Sequence, residues 1–145
     1  MKGGRFAGAF LILASILLFS PSCAGLEKQV SIVVSCEDFE ASHDLSHEIQ
    51  VLEGGTVALT LCSNQSTGFQ WEQQVYCPLV GTIITPENHE FMPPQEAAGV
   101  GAAGQEVWTF KAVNKGTATI TLFYSQPWES GQKGAWTYNL VVVIK

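Results

Sequence analysis

The chain has 145 residues, of which 46% are hydrophobic and 14% are charged, a composition that excludes an intrinsically disordered protein and fits one globular domain. The formal net charge is −6; without residues 1–22, which carry two basic and no acidic side chains, 5 basic residues remain against 13 acidic ones, a balance of −8. Because phosphate groups attract the opposite charge, we expect neither nucleic acid nor an anionic membrane surface as a partner.

The first residues have the pattern of a secretory signal peptide. Residues 1–5 contain two basic residues, Lys2 and Arg5, residues 6–19 are apolar and uncharged, and small residues follow. The apolar run is shorter than the about 20 residues that a transmembrane helix needs, which makes an N-terminal membrane anchor the weaker interpretation. The sequence therefore predicts a signal peptide at residues 1–23.

Two kinds of cleavage stay open. An ordinary signal peptidase would cut before Gly25, whereas a bacterial lipoprotein would carry its lipid on Cys23. In both cases we expect residues 24–145 to form one exported domain, which is periplasmic, a cell-surface lipoprotein or secreted. Membrane contact is expected only through such a lipid anchor.

Export allows the cysteines to pair. Cys36, Cys62 and Cys77 can form one disulfide and leave one thiol. Cys62 and Cys77 are expected at opposite ends of a strand over residues 69–76, too far apart to bridge, because each strand residue rises about 3.3 Å. The sequence therefore favours a disulfide between Cys36 and Cys62.

Strand patterns dominate the rest of the chain. Apolar and polar residues alternate, β-branched and aromatic residues are frequent, and turn residues separate the runs. Residues 40–48 are the only candidate for a helix. About seven strands in about 120 residues predict an all-β protein, an antiparallel β-sandwich. The predicted strands include residues 56–62, 69–76, 81–85, 107–113, 117–124 and 136–144.

The alternation also predicts which side chains point into the core. Phe69 is ambiguous, because it begins a strand and also belongs to a loop motif described below. The side chains expected to point inward are Leu59, Leu61, Trp71, Trp108, Phe110, Ile120, Leu122, Leu140 and Val142.

Three loops have an unusual composition, at residues 63–68, 92–104 and 125–134. Two predicted strands separate each loop from the next, so strands that alternate in direction place all three loops at one end of the sandwich. Small residues there allow a partner to approach the backbone, and Trp128, which follows Pro127, is a residue type enriched in binding hot spots. The alternative is that these are ordinary turns.

Catalytic and metal-binding patterns are missing from the sequence. It has no Gly-x-Ser-x-Gly motif and no phosphate-binding loop, and His43, His47 and His89 lie outside the three loops. Cys36 and the acidic residues near His43 lack the spacing of a zinc site. We therefore expect no enzyme activity, no metal and no cofactor.

Three motifs in the loops carry a resemblance to a known family. They read Asn64-Gln65-Ser66-Thr67-Gly68-Phe69, followed by Trp71, then Gly101-Ala102-Ala103-Gly104, and finally Gln126-Pro127-Trp128. In order and spacing they are similar to the Asn-Pro-Thr-Thr-Gly-Phe/Tyr, Gly-x-Gly-Gly and Arg-Pro-Trp motifs of the chagasin family of cysteine protease inhibitors. The resemblance covers about residues 48–145.

The resemblance implies an immunoglobulin-like sandwich that inhibits papain-like (clan CA) cysteine proteases reversibly and without a covalent bond. The three loops would enter the active-site cleft, with Thr67 near the catalytic cysteine and Trp128 beside the cleft. We expect a monomer. The implied protease-binding residues are Asn64, Ser66, Thr67, Gly68, Phe69, Gly101, Ala102, Ala103, Gly104, Gln126, Pro127 and Trp128.

The sequence departs from the family motifs at four positions. Gln65 replaces Pro, Ser66 replaces Thr, Ala103 replaces Gly and Gln126 replaces Arg. The last change matters most, because it removes a cation that could form charge-assisted hydrogen bonds. Since Trp128 is retained, we expect weaker or differently selective inhibition rather than its loss.

The main alternative function is an immunoglobulin-like adhesion or ligand-binding module of the cell envelope, since a fold does not fix a function. Cys62 and Trp71 match the first half of the immunoglobulin Cys…Trp…Cys pattern. The second half is missing, because Gln126 and not a cysteine stands two residues after Tyr124.

Overall fold

The computed structural model describes residues 25–76, 82–95 and 98–145. The signal peptide predicted at residues 1–23, the lipidation site Cys23 and the third cysteine, Cys77, lie outside these residues. None of the helices in the described part of the chain has the length and apolar character needed to cross a membrane.

The described residues form two four-stranded sheets that pack face to face around one core. The strand order is β1-β3-β6-β5 in one sheet and β2-β8-β7-β4 in the other. The elements in chain order are β1 (Gln29–Val34), α1 (Cys36–Ala41), β2 (Asp44–Val51), β3 (Thr56–Ser63), β4 (Gln70–Tyr76), β5 (Ile84–Met92), β6 (Gly104–Ala112), β7 (Gly116–Ser125) and β8 (Trp136–Ile144).

The predicted antiparallel β-sandwich is confirmed, with parallel pairing at two edges of the described sheets that the sequence did not predict. β1 pairs with β3 in parallel, and β2 pairs with β8 in parallel. The reason is topological: β1 and β3 run in the same direction in one sheet, because the chain crosses to the other sheet for β2 between them. The only helix candidate in the sequence, residues 40–48, is not a helix over most of its length, since α1 ends at Ala41 and β2 begins at Asp44.

The core consists of the residues that alternate inward from both sheets. All nine side chains predicted to point inward are buried, none of them more than 6% exposed. Phe69 packs partly buried against the same cluster. Burial of such side chains is the main force that holds the two sheets together.

A disulfide fixes α1 at the end of the sandwich where β3 finishes. It joins Cys36, the first residue of α1, to Cys62, with 5.1 Å between the two Cα atoms. This is the pair that the sequence favoured. Cys62 is the last residue but one of β3, so the helix is tied directly beside the loop that follows this strand.

The short helix has a defined start and a buried anchor. The Ser35 side chain accepts a hydrogen bond from the Asp38 backbone, and Asp38 accepts from the Ser35 hydroxyl and amide. These hydrogen bonds hold the pKa of Asp38 below its usual range. Phe39 is fully buried, with its ring centroid 5.1 Å from that of Trp71 and 5.0 Å from that of Trp136.

Phe39→Ala is expected to lower the free energy of unfolding by about 3–5 kcal/mol, because it leaves a cavity among buried aromatic rings. Urea unfolding measures this loss. Glu37→Ala, an exposed change on the same helix, should stay within about 0.5 kcal/mol of wild type. A loss below about 1 kcal/mol for Phe39→Ala would mean that α1 is not docked in the core.

Candidate functional site

The three unusual loops meet at one end of the sandwich, as the strand count predicted. They follow β3, β5 and β7 and comprise residues 64–69 (first loop), 93–103 (second loop) and 126–135 (third loop). The Asn64 side-chain amide donates to the Gly101 carbonyl at 2.9 Å, and the Gln126 side-chain amide donates to the Thr67 carbonyl at 3.4 Å. These hydrogen bonds join the first loop to each of the others, and we call the combined surface the rim.

The first loop is organised around Asn64. Its side chain accepts hydrogen bonds from the Ser66 amide at 3.2 Å and the Ser66 hydroxyl at 2.6 Å. Its backbone carbonyl accepts from the Thr67 amide at 3.1 Å and the Thr67 hydroxyl at 2.6 Å. The resulting 3-10 turn, Gln65–Thr67, leaves Ser66 and Thr67 exposed at the tip. The Thr67 hydroxyl donates to a backbone carbonyl and not to a base, so it is not activated as a nucleophile.

The base of the first loop is anchored in the core. The Asn64 backbone amide donates to the hydroxyl of buried Tyr124 at 2.7 Å. The Phe69 ring stacks on Tyr124, with 5.2 Å between centroids. Phe69 is half-buried, which agrees with a residue that both supports the loop and belongs to the core. The sequence offered no clear sign that Tyr124 would support the loop.

A buried carboxylate braces both ends of the first loop. Glu106 is 1% exposed and accepts hydrogen bonds from the Ser63 hydroxyl at 2.7 Å and the Trp71 amide at 3.3 Å. Its second oxygen lies 2.7 Å from Nε2 of His89. Ser63 precedes the loop and Trp71 follows it. Because a buried carboxylate needs such partners, it fixes the positions of both residues.

The second loop brings backbone to the rim. Gly99 and Gly101 have positive φ angles of 86° and 82°, which glycine adopts without strain. Ala102 and Ala103 are half-buried. Gly104 is buried, and a Cβ atom there would lie 2.3 Å from the Met92 carbonyl oxygen. The structure therefore explains Gly104 by close packing of β6 on β5.

The third loop presents Trp128, which is 47% exposed. Its ring lies over the first loop, where a Cβ atom on Gly68 would be 2.5 Å from the ring carbon Cη2. Gly68 also has a φ of 79°, so glycine is required there twice over. Pro127, which precedes Trp128, is exposed. The Gly131 amide closes a turn by donating to the Trp128 carbonyl at 3.0 Å.

Gln126 holds the third loop together from within. Its backbone amide donates to the Gln132 backbone carbonyl at 2.8 Å, and its side-chain oxygen accepts from the Gln132 backbone amide at 3.0 Å. The Lys133 ammonium donates to its backbone carbonyl. Sequence reasoning missed Gln132 and Lys133, because exposed polar residues in a glycine-rich turn carry no recognisable signal.

Two further titratable residues of the described chain, His47 and Tyr138, contact each other away from the rim. His47 contacts the Tyr138 hydroxyl at 3.1 Å, and burial raises the pKa of Tyr138 above its usual value. Within residues 25–76, 82–95 and 98–145, no group of three or more His, Cys, Asp or Glu side chains could hold a metal ion. The rim exposes hydroxyl groups, main-chain groups and one large aromatic side chain, which are groups that can contact a binding partner.

The chain is similar to several known proteins. Amoebiasin-2 of Entamoeba histolytica is 24% identical over 133 residues, which are 92% of this chain and 100% of that protein. The crystal structure of EhICP2, a cysteine protease inhibitor from Entamoeba histolytica, has a TM-score of 0.62 at 21% identity, over 81% of this chain and 97% of that one. PbICP-C, solved in complex with falcipain-2, has a TM-score of 0.52 at 16% identity, over 83% and 100%.

The family described as "Chagasin family peptidase inhibitor I42" matches residues 50–142. This match covers more than half of the chain and includes all three loops of the rim. The two solved structures show the same sandwich fold. The chain therefore belongs to the chagasin family of peptidase inhibitors.

Proposed function

We propose that this protein is a reversible, non-covalent inhibitor of papain-like cysteine proteases and that its rim enters the active-site cleft. The observation that carries the proposal is the set of hydrogen bonds and packing contacts that join the three loops into one surface. A plug made of loops that are already ordered loses little entropy on binding. The family match favours this function over an adhesion module and over an enzyme.

Each part of the rim has its own role in the proposed complex. Exposed Thr67 at the tip of the first loop approaches the catalytic cysteine without reacting with it. Trp128 packs beside the cleft on one side, and residues 101–104 lie along it on the other. One such rim is consistent with a standard inhibitor interface of about 800 Å² per partner.

Gln126 has an internal role that bears on selectivity. Its side chain bonds to Thr67 and Gln132 of the protein itself, so it stabilises the rim instead of offering a cation to the protease. A basic group nearby, the Lys133 ammonium, donates to the Gln126 carbonyl. We therefore propose altered selectivity relative to family members with Arg at this position.

We also propose that the protein is exported from the cytoplasm. The Cys36–Cys62 disulfide supports an oxidising compartment, where such bonds persist. It agrees with a signal peptide at residues 1–23 and with a protein that is periplasmic, secreted or anchored as a lipoprotein through Cys23.

Replacing Thr67 and Trp128 together by alanine is expected to weaken inhibition of papain and of a cathepsin L-type enzyme by about 100-fold, because both the tip and the aromatic contact are lost. Steady-state inhibition kinetics measure the change. Lys115→Ala, in the exposed turn between β6 and β7 at the opposite end, is the matched control and should inhibit like wild type.

Two outcomes would contradict this proposal. Equal inhibition by the wild-type protein and the double variant would place the protease-binding surface elsewhere. A wild-type protein that inhibits neither enzyme at micromolar concentration would not be an inhibitor of this class.

Gly68→Ala is expected to weaken inhibition by at least about tenfold, because the new methyl group displaces the Trp128 ring. Gly54→Ala is the control: Gly54 also has a positive φ, of 74°, but a Cβ atom there meets nothing within 4 Å. Both variants should lose about 1–2 kcal/mol of stability from backbone strain. If the two variants inhibit alike, the contact between Gly68 and Trp128 does not matter for binding.

A further inference from the structure

A cavity of about 540 Å³ lies between α1 and the rim. Its lining comes from the helix and the residues after it, from all three loops, and from the ends of β7 and β8. The residues that matter for its chemistry are Glu40, His43, Phe69, Tyr124 and Trp136. None of the three family motifs accounts for Glu40, His43 or Trp136, because they lie outside those motifs.

A row of stacked aromatic rings lines the cavity. The Tyr124 ring lies between Phe69 and Trp136, with centroid distances of 5.2 Å and 4.8 Å and interplanar angles of 23° and 10°. Phe69 and Trp136 are only partly buried, so part of their aromatic surface stays uncovered. Since Trp136 also stacks on Phe39, with 5.0 Å between centroids, the ring faces of Trp136 and Tyr124 are covered by other rings, and what the cavity offers is apolar ring surface along which an alkyl stem can lie.

The cavity also has a carboxylate without an internal partner. Glu40 is exposed on α1, and within the described residues it forms no salt bridge. The rim's only basic side chain in the described loops is Lys133, which is not part of the lining and donates to the Gln126 carbonyl. A cation that enters would therefore meet an unpaired carboxylate beside aromatic surface.

We propose that this cavity receives a lysine or arginine side chain of the bound protease, an inference that rests on the proposed inhibitor function. A basic side chain is amphipathic: its alkyl stem can lie along the aromatic rings while its charged end reaches the Glu40 carboxylate. A neutral aliphatic side chain would leave the carboxylate unpaired, and an acidic one would be repelled. The cavity thus selects proteases that carry a basic side chain beside the cleft.

The helix backbone that carries Glu40 is held in place in the free protein. The Cys36–Cys62 disulfide holds one end of α1 against β3, and buried Phe39, the residue before Glu40, holds the helix on the core. The helix therefore forms a fourth wall of the binding surface instead of a mobile flap. This arrangement gives the disulfide a role in selectivity as well as in stability.

The test uses Nα-acetyl-arginine methylamide as the probe and its citrulline counterpart, a neutral group of almost the same shape, as the matched ligand. Both are titrated into the ¹⁵N-labelled protein at about pH 8. We expect saturable shifts of the Trp136 indole signal with the arginine probe and at least about fivefold weaker binding of the citrulline compound. Glu40→Gln should remove this preference, whereas Glu37→Gln, the same charge change on the same helix outside the cavity, should keep it.

Inhibition of papain and of the cathepsin L-type enzyme, measured on the same preparations, separates this inference from the proposed function. Inhibition together with no saturable shift, or with equal binding of both probes, would overturn the cavity as a basic side-chain site and leave the inhibitor function in place. Saturable arginine-selective binding without inhibition would support the cavity's chemistry and overturn the inhibitor function. A Glu40→Gln variant that still prefers arginine would show that the carboxylate is not the recognising group, and would also overturn the inference.

Discussion

The indole ring of Trp128 rests on Gly68, at a position where any side chain would overlap it. This contact is the constraint on which the rest of the rim depends. It fixes the third loop against the first, and the hydrogen bond from Asn64 to Gly101 then fixes the first loop against the second. Three loops that are distant in sequence therefore behave as one surface, and an alanine at position 68 would separate two of them.

The rim is rigid because its supports reach into the core. Glu106 and Tyr124 are buried, and each bonds to residues at the base of the first loop, so that the loop cannot shift without breaking buried polar interactions. On the other side, the disulfide and Phe39 fix α1 beside the same loop. A cysteine protease would thus meet a preformed surface, which keeps the entropy cost of binding low.

The sequence predicted those features that depend on local pattern. Alternation identified the core from Leu59 to Val142, the count of strands placed the three loops together, and strand length favoured Cys36–Cys62. It did not predict the parallel edge strands. It also did not predict the bounds of α1, because a six-residue helix is held in place by a disulfide and by Phe39 and has no periodic pattern of its own. The bonds of Gln126 to Thr67 and Gln132 depend on loop coordinates, so a motif comparison alone read Gln126 only as a lost cation.

The three loops together form the proposed protease-binding surface. Amide hydrogen exchange of the protein, free and in complex with papain, maps this surface, because it reports every segment at once. We expect increased protection in residues 64–69, 98–103 and 126–135 and unchanged exchange in the turn between β6 and β7 at the opposite end. Protection confined to that turn or to the outer faces of the sheets, with the three loops unchanged, would contradict it.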